Sequence, residues 1–128
     1  MLRGKGLWAY RDWELDRAIR FAPQMGATHL LYKAGHGPEY LPGMPGAVAK
    51  ITEAGLVPLA WTALYLDDPQ AEAEVVVRAF QDGFQGLVFD TEVAQCRNRF
   101  EEAARLGEHL RAARVNPARL YNLSLIHI

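Results

Sequence analysis

The chain has 128 residues, half of them hydrophobic and 23% charged, with a formal net charge of -1. These values suit one soluble globular unit and exclude disorder, collagen-like repeats and coiled coil. The near-neutral balance leaves no basic footprint for nucleic acid and no polybasic segment for an anionic membrane, and no apolar run approaches the ~18 residues of a membrane-spanning helix.

The chain opens Met-Leu-Arg-Gly-Lys-Gly and leads straight into a strand-like segment. It shows no apolar signal core, so a cytoplasmic location is the default expectation. The first predicted strand is Gly6–Tyr10. Asp12 is placed to cap a helix whose apolar positions Leu15, Ala18, Ile19 and Ala22 recur at helical spacing, and Gly26 follows as a stop. Trp13 is expected to pack at the start of that helix. A second strand covers Thr28–Lys33, and a Gly/Pro-rich stretch from Gly35 to Gly46 reads as an irregular loop. The second helix, Ala47–Glu53, stops at Gly55.

The third strand is Val57–Tyr65. Asp68-Pro69 is a helix-start signal, a capping side chain followed by proline at the first helical position. That helix runs to Gln81, with Val76, Ala79 and Phe80 on one face, and ends at Gly83. The fourth strand is Gly86–Val93, the fourth helix Arg99–Ala113, and a fifth strand begins near Arg119.

Gly26, Gly55 and Gly83 sit at matching points of a repeat of about 28 residues, each made of one strand and one helix. Such a repeat implies parallel strands joined by right-handed crossovers. An open sheet binding a dinucleotide requires a glycine-rich turn after the first strand, yet Tyr10 to Leu15 contains no glycine. The expectation is therefore an α/β chain forming the N-terminal half of a TIM (β/α)8 barrel, four βα units plus the start of strand five. Closure needs about eight units, so the open edges invite self-association. The last six residues, Leu-Ser-Leu-Ile-His-Ile from Leu123 to Ile128, resemble translated read-through of a sequencing adaptor. On that reading residues 1–122 are the barrel domain and 123–128 a non-native tail; the alternative is an ordinary apolar fifth strand.

Asp90-Thr-Glu92 ends the fourth strand. Residues two apart share a strand face, so Val88, Asp90 and Glu92 point one way while Leu87, Phe89 and Thr91 point the other. If the apolar pair faces the helices, both carboxylates face the barrel axis at the C-terminal rim, where barrel active sites lie. Two neighbouring carboxyl groups with separated pKa values can supply the acid and base of glycoside hydrolysis. The plainer alternative has Asp90 capping a loop and Glu92 paired with Arg97 or Arg99.

Trp8 and Tyr10 on strand one, and Trp61 and Tyr65 on strand three, offer flat faces suited to sugar rings, or simply fill the core. Lys33, ending strand two, would bind substrate or pair with Asp90 or Glu92. His36 and Glu39 fall in the Gly/Pro-rich loop as weaker candidates. Cys96 stands alone and is expected to be inert. His29, His36, His109 and His127 lack metal-ligand spacing, so no metal and no other cofactor is expected.

With a second strand ending Lys-Ala-Gly-His-Gly, the run Ala-Gly-Leu-Val-Pro-Leu-Ala-Trp and a fourth strand Val-Phe-Asp-Thr-Glu, the chain resembles lysozyme-like glycoside hydrolases of family 25 and related uncharacterised bacterial barrels. The resemblance implies action on a polysaccharide of N-acetylated amino sugars. It also implies that Glu92 is the general acid and Asp90 its partner. Where that family places an aspartate after the first glycine, this chain has Trp8, and a related barrel with another carbohydrate substrate fits better. Three functions follow from these readings: half of a glycosidase using Asp90 and Glu92, expected to be inactive as an isolated half-barrel, a non-catalytic carbohydrate-binding barrel, and a metal-dependent lyase or isomerase.

Overall fold

The computed structural model describes residues 3–91 and 93–122. Among them are strands β1 (Lys5–Ala9), β2 (Ala27–His36), β3 (Glu39–Tyr40), β4 (Val57–Leu64), β5 (Gly86–Thr91) and β6 (Leu120–Asn122). The helices are α1 (Asp12–Met25), α2 (Met44–Glu53), α3 (Pro69–Gln81), a single turn α4 (Val93–Cys96) and α5 (Phe100–Ala112), with a 3-10 turn at Pro117–Arg119. The chain is thus mixed α/β. Glu92, and the tail Leu123 to Ile128, lie outside the described residues.

The sheet order is β1-β2-β4-β5-β6, with every neighbouring pair parallel; β3 is a two-residue antiparallel addition to the end of β2. Each parallel strand lies beside the one preceding it in sequence, so the reversal of order that defines a doubly wound sheet does not occur among these strands.

Helices α1, α2, α3 and α5 all pack on one face. Leu15, Ala22, Met44, Ile51, Val76, Ala79, Leu106 and Leu110 share a cluster with Leu30, Tyr32, Ala60, Leu64, Leu87 and Phe89 of the strands. Each fully buried aliphatic side chain contributes roughly 1.5–3 kcal/mol, so this layer holds the helices down. The opposite face carries a smaller cluster of Leu31, Leu59, Trp61 and Val88, flanked by Val57 and Tyr121.

Local chemistry explains the element ends and several departures from expectation. Asp68 caps α3 as its sequence signal requires, accepting from the Ala71 amide at 3.1 Å, with Pro69 in the first position. Asp12, by contrast, is the first residue of α1 rather than its cap. Its carboxylate accepts from the Tyr32 hydroxyl, while Glu14 reaches back to the Tyr10 and Arg11 amides at 2.6 and 3.2 Å. Trp13 does not pack inward; it is 59% exposed, in a surface groove with Leu7, Trp8, Phe21 and Met25.

The stretch Gly35 to Gly46 is less irregular than its composition suggests. Strand β2 runs on to His36, β3 folds back against it, and α2 begins at Met44 after Gly43, which adopts φ +81°. Strand β5 ends at Thr91, and Val93 already belongs to a helical turn, so the apolar–polar alternation through Val93 overstated the strand.

Candidate functional site

The face opposite the helices collects most of the chemistry-bearing side chains at the C-terminal ends of the strands. Leu87 and Phe89 join the helix-side cluster and Val88 the other, so strand alternation puts Asp90 on the face of Val88. Trp8 and Tyr10 reach the same face from the end of β1. Trp8 lies 5.4 Å and Tyr10 5.9 Å from the Trp61 ring, both in tilted geometry. The indole N–H of Trp61 donates to the Ala9 carbonyl at 3.2 Å, which fixes the ring between β1 and β4.

Lys33 stands at the centre of this cluster. It is only 4% exposed, and its ammonium lies 4.2 Å from the Tyr10 ring centroid and 5.0 Å from that of Trp61. Cations over aromatic faces are stabilised by the ring quadrupole, more so when desolvated. The polar contact of Lys33 is the imidazole of His36, with Nζ 3.1 Å from Nδ1. An ammonium only donates, so Nδ1 accepts. The ring proton then sits on Nε2, from which it donates to the Tyr65 hydroxyl 3.2 Å away. The Tyr65 and His36 rings meet edge to face at 5.1 Å.

His36 reaches this face through an irregularity in the sheet. Lys33 pairs with Trp61, Gly35 with Thr62 and His36 with Ala63, so Ala34 and Gly35 together oppose one residue of β4. This is a β-bulge, which shifts the phase of the strand by one residue. Simple alternation from Lys33 sends His36 to the helix side; the bulge returns it to the side of Lys33. Gly35 is required there, because a Cβ would lie 2.5 Å from both Thr62 Oγ1 and Val75 Cγ1.

Beneath Tyr65, Glu72 of α3 is buried. One carboxylate oxygen accepts from the Tyr65 amide at 2.8 Å and the Leu66 amide at 3.2 Å, and the other has no partner among the described residues. Burial pushes this carboxyl above its ordinary value, against the pull of the two amides. Glu72 therefore positions the backbone that presents Tyr65.

All five residues singled out for substrate contact, Trp8, Tyr10, Lys33, Trp61 and Tyr65, meet in one cluster, and His36 belongs with them. Lys33 faces inward but contacts His36 rather than Asp90. Glu39 is exposed on β3, opposite His36 in the β2–β3 pairing. Arg99, a possible partner for Glu92, is engaged with Asp67 at 2.9 Å and the Leu66 carbonyl at 3.1 Å. Cys96 donates to the Leu64 carbonyl at 3.1 Å. Among the described residues no group of three His, Cys, Asp or Glu side chains is arranged to hold a metal ion, and no helix is long and apolar enough to cross a membrane. No known protein family, characterised protein or solved structure matches this chain.

Proposed function

We propose that this chain supplies four βα units and the start of a fifth to a (β/α)8 barrel, and that the face opposite its helices binds a carbohydrate for glycoside hydrolysis. The observation that carries the reading is the cluster in which Tyr10 and Trp61 flank Lys33, Trp8 packs on Trp61, and Tyr65 joins through His36, on the face that bears Asp90. Exposed rings take the apolar faces of a sugar, and Trp8 and Tyr10 are 45% and 46% exposed. The consecutive strand order and the apolar groove beside β1 and α1 fit a sheet that continues past its first strand.

In this proposal Glu92 protonates the leaving oxygen, while Asp90 stabilises the positive charge that develops on the sugar ring. In a complete barrel containing this half, exchanging Glu92→Gln or Asp90→Asn should then lower hydrolysis of amino-sugar polysaccharide by at least about a hundredfold, with binding retained. Trp61→Ala should weaken binding itself. Full turnover by Glu92→Gln would remove the hydrolase reading. A non-catalytic binding barrel is favoured by Trp8 at the place of an aspartate. It gives sugar-dependent quenching of tryptophan fluorescence that survives Glu92→Gln but not Trp61→Ala, with no hydrolysis by the complete barrel.

A further inference from the structure

Resting on the carbohydrate reading, the geometry points to a sugar that carries an acidic substituent, with Lys33 as the group that receives it. The side chain is almost wholly buried, and its described neighbours, the Tyr10 face, the Trp61 face and the His36 imidazole, are all neutral. A desolvated ammonium ordinarily requires an anion beside it. Among the described residues, Asp16 pairs with Lys50, Asp67 with Arg99, Asp12 accepts from Tyr32 and Asp82 from Tyr40, so these four carboxylates are engaged elsewhere. Ring faces lower the cost of the buried charge without cancelling it, so a positive charge is held among the aromatic side chains.

The position of Asp90 sets the polarity of this aromatic cluster. Lys33 lies on β2 and Asp90 on β5, with β4 between them. Strand spacing separates them by about 10 Å across the sheet, and Asp90 stands two residues further along its strand, in register with Ala63 and His36. The interval is floored by Trp61, beside Lys33, and Ala63, beside Asp90. A ring spanning this interval has a cation at one end and a carboxylate at the other. An acidic substituent is drawn to Lys33 and repelled by Asp90, which fixes which end of the sugar faces the reacting groups. His36 is a positioning residue: accepting at Nδ1, it holds the ammonium in place and adds no charge of its own.

The test compares matched ligands on the full chain by tryptophan fluorescence. The pairs are methyl β-D-glucuronide against methyl β-D-glucoside, and the corresponding galacto pair. Each differs only in a carboxylate for a hydroxymethyl group. The acid should bind about tenfold or more tightly than its neutral twin, and raised salt should narrow the gap. In Lys33→Gln the preference for the acid should vanish or reverse. Equal binding of acid and neutral sugars by the unaltered chain, or a preference that survives Lys33→Gln, overturns the acidic-sugar inference alone. Binding of neither pair overturns the carbohydrate reading with it. The comparison on the unaltered chain decides even if the variant fails to fold.

Discussion

Glu72, which is buried, and His29, which is partly buried, both make the stability of this chain depend on pH. The folded state raises the Glu72 carboxyl above its ordinary 4.5, chiefly by burial, so it holds that proton more tightly than the unfolded chain does. The associated stability is present below 4.5 and is lost as pH rises through the elevated value. His29, lowered from 6.5 by burial, acts in the opposite sense: stability is lost as pH falls from 6.5 toward its depressed value. The two slopes oppose each other, so single variants are needed to separate them. In Glu72→Gln, urea unfolding measured from pH 4 upward should lose the fall in stability above 4.5; an unchanged profile would contradict the assignment. Glu72→Ala should cost about 1–3 kcal/mol, because it leaves the Tyr65 and Leu66 amides buried without an acceptor. Much of the cleft was legible from side-chain alternation, which assigned Asp90 to the face of Val88 and away from Leu87 and Phe89. Glu72 was not. It lies on the buried face of α3, and no pattern in the sequence marks a helical glutamate as the anchor of a neighbouring loop.

The strand β2 runs on to His36 where a loop was expected from Gly35, and no face could be assigned to His36 from alternation alone. Two-residue periodicity assigns faces only while the register is unbroken, and the extra residue at Ala34–Gly35 breaks it just before His36. The one available signal was Gly35 itself, since a glycine inside a strand often marks a bulge; the prolines and glycines that follow obscured it. Gly35→Ala drives a methyl group against Thr62 and Val75, so it should destabilise by roughly 1–3 kcal/mol and weaken ligand binding through displacement of His36. A variant with unaltered urea midpoint and unaltered binding would remove this role for the bulge. Elements with paired start and stop signals were read closely, as at Asp68-Pro69 and Gly83. Others, such as the fourth strand and the loop before α2, were not, because alternation and glycine content continue past the point where hydrogen bonding changes.

For the whole molecule, the expected alternation of strand and helix corresponds to a parallel sheet with its helices on one face. The strand at the β1 edge is flanked by Trp13, Phe21 and Met25, all exposed, beside Leu7 and Trp8. A contiguous apolar patch of this kind favours association. Sedimentation of the chain should therefore reveal self-association that weakens on replacing Trp13 and Phe21 with Glu; a strictly monomeric chain at tens of micromolar would oppose this. The consecutive strand order also bears on how the chain is made. Each parallel strand docks against the one that precedes it in sequence, so no early segment waits for a distant late one, and loop closure stays short at every step. The sheet can therefore grow in the order of synthesis, each helix sealing its own stretch of the sheet as it emerges.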